Sequence, residues 1–148
     1  MNFKILTIGV FIATIFNACG SSSSSSHHQS QACLNCHGKD VKNSAPILSA
    51  AGTIYTLKDA IDGVENIANG HNIQFLMSDS STISFKKARG DGNINLKRLD
   101  KSGKFTAQVL NEDGIIINQS DTDSHDTTTH LNCNSCHTSS SSQGRITN

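Results

Sequence analysis

The chain carries the pattern Cys-x-x-Cys-His twice, at Cys33–His37 and at Cys133–His137. This spacing is the attachment pattern for a c-type haem. Two thiols three positions apart can bond the vinyl groups of one porphyrin, and the adjoining His then ligates the iron. We therefore expect two covalently attached haem c groups, with His37 and His137 as proximal ligands. The thioether bonds come from the four motif cysteines, Cys33, Cys36, Cys133 and Cys136.

The same four cysteines allow other interpretations. Paired Cys-x-x-Cys segments also bind zinc, and the cysteines of an exported chain normally form disulfides. The distance between the two pairs is far longer than in common zinc modules, and neither alternative explains a His after both pairs. A four-cysteine zinc-binding surface domain stays as an alternative to the haem interpretation.

The first eighteen residues predict a secretory leader. One positive charge precedes the apolar run Ile5–Phe16, which is shorter than the roughly twenty residues of a membrane span. These are the length and flanks of a signal peptide. A Gly and six Ser follow Cys19, and this composition predicts a flexible tether over residues 19–30.

The end of the leader, Ala18-Cys19-Gly20, resembles the lipobox of bacterial lipoproteins. The resemblance implies that Cys19 is acylated and becomes the mature N-terminus, although Phe16 replaces the usual Leu or Val. Several acyl chains on one cysteine would hold the protein on a membrane. We expect an exported protein that is lipid-anchored to the cell envelope, at the outer membrane, the periplasmic face or the cell surface. An ordinary signal peptide cleaved nearby is the alternative.

The charge balance gives no sign of a nucleic-acid partner. Lys and Arg total 12 and Asp and Glu total 12, and loss of Lys4 with the leader leaves one more acidic than basic residue. A nucleic-acid surface would need a basic excess.

The region between the motifs predicts a mainly β fold. Apolar and polar residues alternate in short runs that are separated by Gly, Asn and Asp turns, which is typical of a β-sandwich. Asp59–Ala68 has helical spacing and predicts a short helix or irregular structure. We expect a β-sandwich over 44–120, flanked by haem-binding segments at 31–43 and 121–148. The predicted strands are Thr53–Leu57, His71–Met77, Thr82–Lys86, Asn93–Lys97, Phe105–Leu110 and Ile115–Asn118.

The order of these runs and turns resembles the carboxypeptidase-regulatory-like, or transthyretin-like, β-sandwich. The likeness lies in Ala51–Tyr55, Asn72–Phe75, the Gly90–Asn93 turn, Gly103–Thr106 and Asp113-Gly114. It implies a small, Ig-like scaffold domain. The segment from Cys133 to Ile146 is similar to the end of small exported c-type cytochromes, which implies a dihaem cytochrome lipoprotein.

Each iron needs a second axial ligand if it is to serve in electron transfer alone. Met77 is the only Met left after the leader, and its place on the apolar face of a strand favours a core role. The candidate distal ligands are therefore histidines: His130, His71 and His28. His125 lies among aspartates and is interpreted as a solvated residue.

These features predict a membrane-anchored electron carrier and not an enzyme. The expected partners are redox proteins, which include other multihaem cytochromes or further copies of this chain. A haem-based sensor or a small redox enzyme with one open iron site is the alternative, although few distal acid–base groups are available for such chemistry.

Overall fold

The computed structural model describes residues 31–41, 45–61, 66–86 and 92–148. The predicted leader, Cys19, the tether and His28 lie outside these residues. Within them, no helix has the length and apolar character needed to cross a membrane.

The described residues form eight strands and two one-turn helices, and the predicted mainly β class is confirmed. The helices lie on the two motifs, α1 at Leu34–His37 and α2 at Cys133–Cys136. The strands are β1 Ala50–Tyr55, β2 Asn72–Met77, β3 Thr82–Ser84, β4 Asn93–Leu96, β5 Lys104–Leu110, β6 Ile116–Gln119, β7 His125–Asp126 and β8 Ile146–Thr147.

The strands build two sheets, as a β-sandwich requires. The smaller sheet has the order β4-β1-β8, in which β1 is antiparallel to β4 and parallel to β8. The larger sheet has the order β3-β2-β5-β6, and β7 pairs with the beginning of β5. The short strands β7 and β8 belong to the predicted second haem-binding segment, so this segment adds to both sheets.

One hydrophobic core lies between the sheets. Ile54 of β1 and Ile94 of β4 join Ile73 and Phe75 of β2 and Phe105 of β5, all buried. The Phe75 and Phe105 rings are stacked with centroids 3.8 Å apart. Because side chains alternate along a strand, β2 buries every second residue. Met77 is also in this core.

The six strands predicted from alternation correspond to β1–β6, with small differences at their ends. The predicted helical or irregular segment at Asp59–Ala68 contains no α-helix in its described part. Lys58 and Asp59 form a turn, and Ile67 makes an isolated antiparallel bridge with Tyr55. Residues 62–65 lie outside the described residues.

The smaller sheet supports the second motif. All six residues of β1 are buried, because its face away from the core is covered by α2. A Cβ on Gly52 would lie 2.7 Å from the Cβ of Cys133, so only glycine allows this close approach. The backbone N–H of Ala51 donates to the Leu131 carbonyl at 3.0 Å, which holds the segment before the motif against β1.

Candidate cofactor site

Both motifs fold into a single helical turn. The N–H of His37 donates to the Cys33 carbonyl and the N–H of His137 donates to the Cys133 carbonyl, each at 2.9 Å. Residues three apart in a helix lie on the same side, so the turn places the two cysteines of a motif on one side of the helix.

The two motifs are neighbours in the fold although a hundred residues separate them in sequence. The side-chain amide of Asn134 donates to the Gln31 carbonyl at 2.9 Å and lies 3.9 Å from the Cys33 sulfur. The N–H of Leu34 donates to the side-chain oxygen of Asn132 at 3.4 Å. The buried Asn134 therefore joins the first motif to the second.

The cysteines differ in bonding state. Cys133 and Cys136 are free thiols, whereas Cys36 is disulfide-bonded. Burial, together with the neighbouring Cys33 and Cys136, raises the pKa of Cys133 to about 12, so this sulfur is protonated at neutral pH. Among the described residues, no group of three or more His, Cys, Asp or Glu side chains is arranged to hold a metal ion.

A cavity of about 640 Å³ opens beside the second motif. This volume is within the range of about 300–1,000 Å³ that is usual for cofactor and ligand sites. Its lining includes Phe75, Phe105 and Val109 of the larger sheet and Cys133, Cys136 and His137 of the second motif. His125 and His130 also line it.

The motif histidines each make the contact that orients a metal ligand. Nδ1 of His137 donates to the Gly144 carbonyl at 3.1 Å, and Nδ1 of His37 donates to the Pro46 carbonyl at 2.8 Å. Such a bond fixes the tautomer in which Nε2 carries the lone pair for a metal. Burial lowers the pKa of His137, against the opposing effect of its bond to Gly144, and this favours the neutral, ligating form.

Arg145 links the second motif to the end of the chain. Its buried guanidinium donates from Nε to the Ala60 carbonyl at 3.2 Å and from Nη1 to the His137 carbonyl at 3.3 Å. It also lies 5.0 Å from the centroid of the Tyr55 ring, in a cation–π contact. Arg145 thereby fixes the backbone of His137.

His125, which its aspartate neighbours in the sequence predict to be solvated, lines the cavity. The pairing of β7 with β5 places it opposite Phe105, and the two rings are stacked with centroids 5.3 Å apart. The centroids of the His125 and His137 rings are 6.2 Å apart, and the rings are inclined by 18°. Burial, and then the nearby His137 and His130, lower the pKa of His125. The local sequence does not indicate a cavity position for His125, because that position depends on the register of β7 against β5.

The predicted distal ligands occupy different places. His130 lines the cavity, and its ring meets the His125 ring edge-on with centroids 5.5 Å apart. His71 does not line it; Nδ1 of His71 donates to the Asn69 carbonyl, and its Nε2 lies 3.4 Å from the side-chain nitrogen of Asn148.

The residues at the second motif fit a covalent haem. The two free thiols, the oriented His137 and the apolar wall of β2 and β5 meet at one cavity of suitable size. A haem needs only two protein ligands because the porphyrin supplies four nitrogens, so a cluster of three protein ligands is not required. Comparison with protein-family models, curated proteins and solved structures found no match.

Proposed function

We propose that this protein is an exported, lipid-anchored dihaem c-type cytochrome that transfers electrons. The observation that carries the proposal is the cavity beside the second motif, where free Cys133 and Cys136 and the oriented His137 face an apolar sheet. When bound there, a haem would supply an iron that exchanges one electron between its ferrous and ferric states.

The polypeptide has separate tasks in this proposal. Cys133 and Cys136 hold the porphyrin edge, and His137 is fixed as the proximal ligand by Gly144 and Arg145. Phe75 and Phe105 would give the haem apolar contact surface in the cavity, and burial against such surface is one of the means by which a protein sets a haem's reduction potential.

The first motif is proposed to hold a second haem through Cys33, Cys36 and His37. The same helical turn and the same Nδ1 contact support this assignment. A thioether at Cys36 needs this sulfur as a thiol, so haem attachment and the disulfide at Cys36 exclude each other. The proposal includes a transthyretin-like sandwich as the scaffold between the motifs and Cys19 as the lipid attachment site.

Haem stoichiometry tests the function directly. The exported full chain is purified, and its pyridine haemochrome spectrum and intact mass are measured. We expect two covalent haems per chain, and one in each of the double variants Cys33→Ala/Cys36→Ala and Cys133→Ala/Cys136→Ala. Cys19→Ser changes a cysteine outside the motifs and should retain both haems. A colourless protein with the mass of the polypeptide alone or with lipid would contradict the proposal.

A further inference from the structure

We propose that His125 is the second axial ligand of the haem at the second motif, opposite His137; this inference rests on the proposed function. The two imidazoles face the same cavity, with ring centroids 6.2 Å apart and planes inclined by 18°. A His nitrogen binds a first-row metal at about 2 Å, so two imidazoles on opposite sides of one ion have centroids roughly 6 Å apart. The centroid distance of His125 and His137 agrees with this value, and their rings are nearly parallel.

The tautomer of His125 is set by a chain of hydroxyl groups. Ser120 Oγ donates to the Asp121 carbonyl at 3.1 Å, and Ser124 Oγ donates to Ser120 Oγ at 3.1 Å. The single proton of the Ser124 hydroxyl is used in this way, so its oxygen accepts from Nδ1 of His125 at 2.9 Å. Nδ1 therefore carries the proton and Nε2 carries the lone pair that a metal needs.

His130 has the opposite tautomer. The backbone N–H of Asp126 donates to Nδ1 of His130 at 2.9 Å, so the Nδ1 lone pair is occupied and the neutral ring carries its proton on Nε2. Ligation through Nε2 would require this ring to change tautomer and lose the Asp126 bond. His130 can donate a hydrogen bond into the cavity, whereas His125 can ligate.

Backbone pairing and ring packing hold His125 in place. β7 pairs with β5 in the register Phe105–His125, and the Phe105 ring stacks on the imidazole. Since Phe105 is itself stacked on Phe75 in the core, the position of the imidazole is fixed by the sandwich and not by a loose loop. An imidazole held in this way would lose little conformational freedom on binding the iron.

The test compares His125→Ala with His130→Ala, in the full chain and in the Cys33→Ala/Cys36→Ala background that keeps only the second haem. The measurements are haem content, low-temperature EPR of the oxidised protein and carbon monoxide binding to the reduced protein. We expect the second haem to be low-spin and unreactive in the parent and in His130→Ala. In His125→Ala it should become high-spin and bind one carbon monoxide, and added imidazole should restore the low-spin state.

The outcomes separate the inference from the proposed function. A parent without covalent haem overturns the proposed function and the inference together. A haem-loaded His125→Ala protein that stays low-spin, an open site produced by His130→Ala instead, or a parent whose second haem already binds carbon monoxide overturns the inference alone. If His125→Ala does not fold, His125→Met takes its place; it should keep the haem low-spin and raise the reduction potential, and an unchanged potential overturns the inference.

Discussion

Asn134 is the residue through which the two motifs meet. Its side-chain oxygen accepts the Thr53 N–H at 3.0 Å, and its amide donates to the Thr53 hydroxyl at 3.0 Å and to the Gln31 carbonyl at 2.9 Å. The residue is 3% exposed, so none of these groups can turn to water. Asn134 occupies an x position of the Cys-x-x-Cys-His pattern, and its hydrogen bonds give it a structural role there.

Asn134→Ala should lower the free energy of unfolding by about 2 kcal/mol, because a buried backbone N–H without an acceptor costs about 1–3 kcal/mol. Urea denaturation of the purified protein measures the change. Asn35→Ala is the matched control, since Asn35 is the exposed Asn of the first motif, and it should change stability by less than about 0.5 kcal/mol. Equal effects of the two substitutions would contradict this role of Asn134.

Gly52 permits the contact between β1 and the second motif. An added Cβ would lie 2.7 Å from the Cβ of Cys133 and 3.3 Å from its sulfur. Both atoms belong to Cys133 of α2, so space for the added Cβ can be made only by moving α2 away from β1.

We expect Gly52→Ala to destabilise the fold by about 1–3 kcal/mol, the usual cost of overpacking, and to reduce haem content at the second motif. Thermal unfolding and pyridine haemochrome measure the two effects. Ser84→Thr adds one methyl group at an exposed strand position and should leave both quantities unchanged. Full haem loading and parental stability in Gly52→Ala would show that α2 does not need this close approach.

At the level of elements, β6 forms an exposed edge of the larger sheet. All four of its residues are exposed, and Ile115, Ile116 and Ile117 expose 60%, 46% and 42% of their surfaces. An apolar edge strand with unpaired backbone groups is a site of intermolecular strand pairing.

Ile117→Lys should reduce self-association at high protein concentration, since a charge on an edge strand opposes strand pairing. Stability should stay within about 0.5 kcal/mol of the parent because the side chain is exposed. Sedimentation across a concentration series measures the association. Ile47→Lys makes the same change at an exposed site outside the strands and should associate as the parent does; a decrease in both variants would point to net charge instead of the edge.

The sequence predicts elements only where they have their own periodicity. Strands β1–β6 show alternation or dense apolar runs, and turns rich in Gly and Asn separate them, so their existence could be predicted. The two-residue strands β7 and β8 are too short for any period; they exist because β5 and β1 offer backbone partners. The same limit applies to His125, whose place in the cavity follows from the register of β7 against Phe105 and from Ser120 and Ser124.

The residues of the two motifs could be predicted, whereas the tautomers of the nearby histidines could not. Cys-x-x-Cys-His is a local pattern, so the pairing of two thiols and a histidine could be predicted from spacing alone. Which of His125 and His130 has a free Nε2 lone pair could not be predicted, because it depends on whether Nδ1 of each ring donates or accepts a hydrogen bond. The Asp126 N–H sets the tautomer of His130 and the Ser124 hydroxyl sets that of His125. Both contacts depend on the folded loop.

At the level of the whole molecule, the fold brings the two Cys-x-x-Cys-His motifs together. Asn134 contacts both motifs, and Cys33 lies close enough to Cys133 to affect its pKa. Two haems attached at these cysteines would begin from neighbouring points, and electrons could then pass between them within one molecule.

We expect the Soret circular dichroism of the dihaem protein to show a split band, because two nearby porphyrin transitions couple. The spectra of the single-haem variants Cys33→Ala/Cys36→Ala and Cys133→Ala/Cys136→Ala provide the control. Their sum should lack the split signal. A parent spectrum equal to that sum would mean that the haems lie too far apart to interact, and electron exchange would then need a second molecule.

The parallel pairing of β1 with β8 joins the first strand to the last residues of the chain. Ile54 of β1 pairs with Ile146 of β8, so the smaller sheet forms only when two segments far apart in sequence meet. Contacts of such long sequence separation slow folding. The β1–β8 pair is therefore expected to form late in folding.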